Sequence, residues 1–169
     1  SWLRAIHREV PAIEEETGTR LRFLAALSRH DDLEWDLDLI DRMKEIAASR
    51  YFVGVDFMGH ERNSTRAFTR QIREIARWAD TARPGFAIRV HAGENPAHPE
   101  NVRVAAESVE GFRVRLRIGH GLYGADERTL VLLRDRPAGP AAVSRSINSL
   151  GSGSSLMAVA ARRQNPRVD

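Results

Sequence analysis

The chain has 169 residues, of which 42% are hydrophobic and 29% are charged, a balance typical of a soluble globular protein and unlike that of a disordered chain. It has no cysteine, which excludes disulfides, thiolate metal sites and cysteine nucleophiles. No apolar stretch approaches the roughly 20 residues of a membrane-spanning helix, and no signal-peptide pattern opens the sequence. We therefore expect a cytoplasmic protein with no membrane partner.

The basic side chains are scattered along the chain rather than clustered. The formal net charge is +3 at pH 7, and arginine supplies nearly all of the positive charge because Lys44 is the only lysine. A nucleic-acid-binding face needs a concentrated basic stripe with interleaved aromatic residues. Only Arg162, Arg163 and Arg167 near the C-terminus come close to one, so a nucleic acid is not the expected partner.

Apolar residues at helical spacing predict a first helix over residues 2–16. Its apolar face comprises Trp2, Leu3, Ile6, Val10 and Ile13. Pro11 is expected to end or kink this helix, and Gly18 stands where a helix would stop. The chain beyond it alternates between short apolar runs and helical patterns.

Runs rich in β-branched and aromatic residues predict five strands in the rest of the chain. They cover residues 21–27, 51–58, 86–91, 113–120 and 141–146. Helical patterns are predicted after Asp31 and Asp32, after Ser64, after Pro99, over 130–133 and over 156–163. A Ser- and Gly-rich stretch, 146–155, is typical of a flexible connection.

This alternation of buried strands and helices indicates the α/β class, with a parallel sheet and helical crossovers in a single domain over residues 1–169. The sheet could be an open, doubly wound one or part of a barrel. The pattern of strands and helices does not choose between the two.

Polar side chains follow three of the predicted strands, at the point where each strand ends. They are Asp56 with Gly59 and Glu61, His91 with Glu94, and His120 between Gly119 and Gly121. In parallel α/β folds the active site forms at this edge, because the loops converge there and the strands hold the side chains rigidly. The sequence therefore predicts a site at the carboxyl edge of the sheet.

The chemistry of these side chains suits a metal hydrolase, although each has a plainer interpretation. The imidazole of His91 is a suitable zinc ligand, and the carboxylate of Glu94 can carry protons beside a metal-bound water. The alternative is a hydrogen-bonded histidine with a capping glutamate. His120 can act as a base or an electrophile, since the flanking glycines admit a close neighbour, or it can be a turn histidine. We expect surface or packing roles for the other histidines considered, which are His7, His30 and His98.

Three strings together resemble the adenosine deaminase family of zinc hydrolases in order and spacing. They are VGVDFMGHE (53–61), VHAGE (90–94) and RIGHG (117–121). RFLAALSRHDD (22–32) resembles the third strand of that family's barrel, and AVSRSINSLGS (142–152) a divergent seventh. The resemblance implies an incomplete (β/α)8 barrel of the TIM type, covering strands three to seven of eight.

The resemblance also implies a role for each candidate residue. In that family a zinc ion activates a water that attacks the purine carbon bearing the amino group, and ammonia leaves. His91 corresponds to a zinc ligand, Glu94 to the acid that protonates the purine ring, and His120 to the histidine that takes a proton from the water. Gly59 corresponds to the glycine whose backbone contacts the purine, and Asp56 to a support of the pocket floor.

Departures from the family pattern concern the metal site and two loops. The family takes two further zinc histidines from its first strand and an aspartate from its eighth, and neither is found in this sequence, so this chain alone is expected to lack part of the metal site. His60 stands where the family has an acid. The segment 144–148 replaces a turn containing cysteine and proline.

Three functions remain open at this point. The first is deamination of adenosine or another purine, with zinc as the cofactor and a purine nucleoside or base as the ligand. The second is a related metal-dependent amidohydrolase with another substrate, and the third is a non-catalytic scaffold. An incomplete barrel would also expose strand edges through which other chains could pair.

Overall fold

A computed structural model describes residues 2–29, 38, 41, 50–135 and 142–144. The predicted alternation of helices and strands is confirmed within these ranges. In chain order the elements are α1 (Trp2–Thr17), β1 (Phe23–Ser28), β2 (Phe52–Met58), a 3-10 turn (Thr65–Phe68), α2 (Thr69–Ala82), β3 (Ala87–Ala92), α3 (Asn101–Ser108), β4 (Arg115–His120), α4 (Glu127–Arg134) and β5 (Ala142–Ser144).

Helix α1 bears on two expectations, one about Pro11 and one about Gly18. Pro11 lies inside the helix and does not end it. Proline removes one backbone hydrogen bond but has a φ that fits a helix, so the flanking turns can continue through it. The helix ends at Thr17, and Gly18 follows with a φ of +65° and donates its amide to the carbonyl of Glu14 at 3.0 Å. Gly18 is therefore the stop that the sequence predicts.

The described strands form one five-stranded sheet in the order β1-β2-β3-β4-β5, and every neighbouring pair is parallel. A doubly wound sheet reverses its strand order at a switch point. No reversal occurs among these five strands, so the doubly wound alternative does not describe this part of the chain. Each strand pairs with the next one along the sequence, as in a singly wound sheet.

Helices α2, α3 and α4 pack on one face of this sheet and form the hydrophobic core with it. Strand residues on this face alternate with polar ones, and they pack against the apolar sides of α2 and α3. The main contributors are Val55, Phe57, Ile88, Val90, Leu116 and Ile118 from the strands, and Ile72, Ile75, Ala76, Val102, Ala105 and Val109 from the helical segments. Burying one such large side chain contributes about 2 kcal/mol to stability.

The opposite face of the sheet carries charged side chains in register. Asp56 pairs with Arg89 on the next strand, and Arg89 pairs with Arg117 on the strand after that. Asp56 is buried, Arg89 is half-buried and Arg117 is exposed. His91 lies on the same face two residues beyond Arg89, so the strands carry this polar face up to their carboxyl edge.

Several predicted features lie outside the described residues. They are most of the helix after Asp32, the Ser- and Gly-rich stretch and the last helix. Asp38 and Asp41, which fall within the helix predicted after Asp32, are both helical. Among the residues that the structure describes, no helix is long and apolar enough to cross a membrane.

Candidate active site

The predicted site residues His91, Glu94 and His120 lie together at the carboxyl edge of the sheet. His91 is near the end of β3 and His120 ends β4, where it pairs with Ala92. The Nδ1 atom of His91 is 3.3 Å from the Nε2 atom of His120, and the two rings meet edge to face with centroids 5.2 Å apart. Glu94 Oε2 is 3.6 Å from the same His120 nitrogen. These three side chains therefore form one cluster.

Asp56 enters this cluster from β2. Its Oδ2 atom accepts a hydrogen bond from Arg89 at 3.0 Å, and its Oδ1 atom lies 3.4 Å from Nε2 of His91. Both Oδ1 of Asp56 and Nε2 of His91 are buried without a hydrogen-bond partner. Buried polar atoms are normally satisfied, so two facing unsatisfied atoms indicate a position arranged for something other than stability. Asp56 thus lies in the same cluster, next to His91.

The glycines around His120 allow the two imidazoles to approach. A Cβ atom on Gly119 would lie 3.3 Å from Cγ and Cδ2 of His91, tighter than nearly all real contacts of that type. His120 itself has a φ of +74°, a left-handed conformation that a histidine adopts only at a cost. Strained backbone of this kind is concentrated at functional sites. The predicted close neighbour of the GHG segment is therefore the ring of His91.

Gly59 stands just beyond the end of β2, at the same edge of the sheet. It is exposed and has a φ of +114°, which favours glycine at this position. Its backbone is accordingly open to a ligand that approaches the carboxyl edge. The structure brings Asp56, His91, Glu94 and His120 into one cluster and places Gly59 on the adjoining loop.

A buried glutamate has a structural role that the sequence did not reveal. The side chain of Glu61 is almost completely buried, and its two oxygens accept the amides of Gly93, Glu94 and Asn95 at 3.0, 2.7 and 2.6 Å. The side-chain amide of Asn101 donates to it as well, at 2.6 Å. Glu61 therefore anchors the loop that carries Glu94. Its place shortly after the end of a strand was the only signal in the sequence.

Sequence reasoning missed a buried arginine. Arg29 follows directly after β1, and its guanidinium donates to the side-chain oxygen and the carbonyl of Asn63 at 2.8 and 2.9 Å and to the carbonyl of His91 at 2.8 Å. It also lies over the ring of Phe68. Burial lowers the pKa of Arg29, while the charges of Glu61 and Glu94 oppose that shift. An arginine stays protonated under these conditions, so a cation holds the backbone of His91 in place.

His98 has the packing role expected from the sequence. It is half-buried, and its Nε2 atom lies 3.3 Å from the carbonyl of Arg62. The side chains of His7 and His30 are not among those that the structure describes. The backbone amide of His98 donates to the carbonyl of Asn95 at 3.2 Å, and its carbonyl accepts the amide of Asn101 at 3.1 Å.

The described side chains do not complete a metal site by themselves. Among the described parts of the chain, no group of three or more His, Asp or Glu side chains is arranged to hold a metal ion. His91 offers one buried nitrogen that lacks a partner. A catalytic zinc needs about three protein ligands, so a zinc bound by His91 would need ligands from other residues.

Comparisons with known proteins find no match. No family model, no curated protein and no solved structure is significantly similar to this chain. Function is therefore inferred from the motifs and from the geometry of the cluster.

Proposed function

We propose that this chain forms part of a zinc-dependent deaminase of the adenosine deaminase type, which replaces the amino group of adenosine or a related purine with oxygen from water. The observation that carries the proposal is the meeting of His91, Glu94 and His120 within 3.6 Å at the ends of neighbouring parallel strands. The motifs that contain these residues occur in the same order along the chain as in the family that they resemble. A chance similarity of short strings does not require their side chains to meet.

Closure of the sheet into a (β/α)8 barrel is part of the same proposal. The sequential parallel order and the helices on one face support it. The charged face, with Asp56, Arg89 and Arg117, would then line the barrel interior. Exposed arginines that become buried need carboxylate partners, which the strands that complete the barrel would supply.

The geometry suits His120 and Glu94 to proton transfer. Nε2 of His120 lies beside both Nδ1 of His91 and Oε2 of Glu94. A neutral imidazole can take a proton from a water next to it, and the imidazolium that results stabilises nearby negative charge. The side chain of Glu94 is 48% exposed. In its protonated form it can donate to a ring nitrogen of a ligand that enters from solvent, while the backbone of Gly59 contacts that ligand.

Zinc, when bound, supplies a water acidic enough to attack near neutral pH. His91 would contribute its unpartnered Nε2, and Asp56 supports the ring from 3.4 Å. The remaining ligands of the proposed site would come from outside the described residues, as paired histidines and an aspartate. The proposal therefore depends on sequence that completes the donor set.

The test compares the 169-residue chain with an extended form that includes the sequence flanking it in its gene. Zinc content is measured by elemental mass spectrometry, and turnover by ammonia release from adenosine and adenine. We expect weak zinc binding and no turnover for the chain alone, and about one zinc with purine turnover for the extended form. Robust adenosine deamination by the 169 residues alone would contradict the metal argument.

The same assay separates the competing functions. An extended form that binds zinc and hydrolyses only non-purine amides or amidines would be a related amidohydrolase. An extended form that neither binds zinc nor turns over any substrate would be a non-catalytic scaffold. Either result would overturn the deaminase proposal.

A further inference from the structure

The carboxylate of Glu61 lies at the centre of the loop that follows β3. We propose that Glu61 is a positioning residue that sets the placement of Glu94 against His120 and thereby controls the rate of the chemical step. The role in catalysis rests on the proposed deaminase function, whereas the anchoring of the loop does not. Nothing in the motif resemblance assigns a role to this residue.

The hydrogen-bond pattern around Glu61 requires two charged or lone-pair-rich oxygens. Oε1 accepts from the amide of Gly93 and from the side chain of Asn101. Oε2 accepts from the amides of Glu94 and Asn95. All four neighbours are donors, and an ionised carboxylate is the one side chain of this size that only accepts. Three successive amides are therefore fixed by a single buried group.

The anchored loop also holds one other segment in place, the one that follows His120. The carbonyl of Gly93 accepts the amides of Leu122 and Tyr123 at 2.9 and 3.1 Å, and the carbonyl of Ala92 accepts the amide of Gly121 at 2.9 Å. The segment after His120 is thus bound to the segment before Glu94. Glu61 holds the first segment and, through it, the second, so it sets the spacing between the Glu94 carboxylate and the His120 ring.

The loop backbone is held while the side chain of Glu94 stays accessible. A Cβ atom on Gly93 would lie 2.6 Å from the carbonyl of Tyr123 and 2.8 Å from Val102, which shows how closely this loop is packed. Glu94 is nevertheless about half exposed. A buried anchor beneath an exposed acid is the arrangement that catalysis by a positioned carboxyl group requires.

Two substitutions of Glu61 make this testable. Glu61→Gln keeps the shape of the side chain, but its amide nitrogen faces two donors whichever way it is turned. Glu61→Asp keeps both acceptors and is shorter by one methylene, so it should restore part of the anchoring. Glu107→Gln on α3 is the matched control, because it removes a half-buried partner of Arg103 and no bond to the loop.

Hydrogen exchange of the 169-residue chain, measured by mass spectrometry, tests the anchor without any assay of activity. We expect residues 93–95 to exchange faster by about tenfold or more in Glu61→Gln, the factor of one charge-assisted hydrogen bond, with a smaller change in Glu61→Asp. Residues 115–120 report whether the variant is folded. If residues 115–120 also lose protection in Glu61→Gln, that variant is unfolded. The exchange of residues 93–95 in Glu61→Asp then tests the anchor instead. Unchanged exchange of 93–95 in a folded variant would overturn the anchoring.

Activity of the extended form tests the effect on the chemistry. We expect kcat to fall by about tenfold or more in Glu61→Gln with KM within about threefold of the parent, since the carboxyl group is misplaced while ligand contacts remain. Glu61→Asp should recover part of kcat. A loosened loop with unchanged kcat would overturn the positioning role. If the parent deaminates no purine, the proposed function fails, and exchange still decides whether Glu61 anchors the loop.

Discussion

The two edges of the sheet use their polar residues differently. At the carboxyl edge Arg29, Glu61 and Asp56 are buried, and His120 has a strained backbone. At the amino edge the polar contacts include that of Arg113 with Asp80, in which the arginine side chain is 59% exposed. In parallel α/β proteins one edge is usually devoted to function and the other to stability. The same strands therefore carry buried, ordered polar side chains at their carboxyl edge and solvent-exposed polar side chains at their amino edge.

The largest expected effect is on activity at the carboxyl edge. Glu94→Gln in the extended form should lower kcat by roughly 10²–10⁴, the range for loss of a general acid. Its thermal unfolding should be unchanged, because the side chain is half exposed. Glu110→Gln, an exposed glutamate beyond α3, is the control and should leave kcat as it is. Equal rates for the two variants would show that Glu94 is a surface residue.

The next effect compares two arginines, one at each edge. Arg29→Met leaves two oxygens of Asn63 and the carbonyl of His91 without their donor, so the free energy of unfolding should fall by about 3 kcal/mol. Arg113→Met removes a contact exposed to solvent and should stay within the error of the measurement. Urea denaturation of both variants checks this. Similar losses would contradict the contrast between the edges.

A smaller and more selective effect is expected at Gly119. Gly119→Ala would press a methyl group against the His91 ring, so we expect kcat of the extended form to fall about tenfold through a displaced imidazole, with the fold retained. Gly54→Ala is the comparison in the middle of the sheet. Its Cβ would lie 2.7 Å from that of Ala87 and would also overlap the Ala87 carbonyl, so this variant should fail to fold. Circular dichroism and turnover together distinguish the two results.

The smallest effect concerns pH and the amino edge. Asp80 accepts the backbone amide and the side chain of Arg113, and these bonds lower the pKa of its carboxyl group, the backbone bond most of all. A lowered pKa in the folded state adds stability above the unfolded value of about 4, and this is lost as the pH falls through the folded value. Asp80→Asn should therefore be slightly less stable than the parent at pH 7. The difference should shrink at pH 3, as measured by urea denaturation.

The sequence was sufficient to predict the strands and the edge at which Asp56, His91 and His120 meet. Runs rich in β-branched and aromatic residues indicate the strands, and the polar residues near their ends, together with the motifs, pointed to these three side chains. The order of the strands was not available from the pattern, because doubly wound and singly wound sheets use the same alternation. The structure resolves this with parallel pairs between consecutive strands.

The anchors of the site were harder to predict for a physical reason. Glu61 is buried only because the loop after β3 folds back over it, and a glutamate in a polar stretch looks the same when it is solvated. The position of Arg29 could have indicated its role. It comes just after a predicted strand, and Asp56 and His91 likewise lie near the ends of their strands. The glycine before His120 indicated a close neighbour, but only the pairing of β3 with β4 shows that this neighbour is His91.

The sequential pairing of the strands has a consequence for synthesis on the ribosome. Each strand needs only the strand made just before it, so every new β-α unit can dock as soon as it emerges, without waiting for a distant partner. The polar edge would then be assembled from Arg29 onward, and His120 would join a platform already formed by earlier segments. A nascent chain stalled after α3 should accordingly already protect the loop anchored by Glu61.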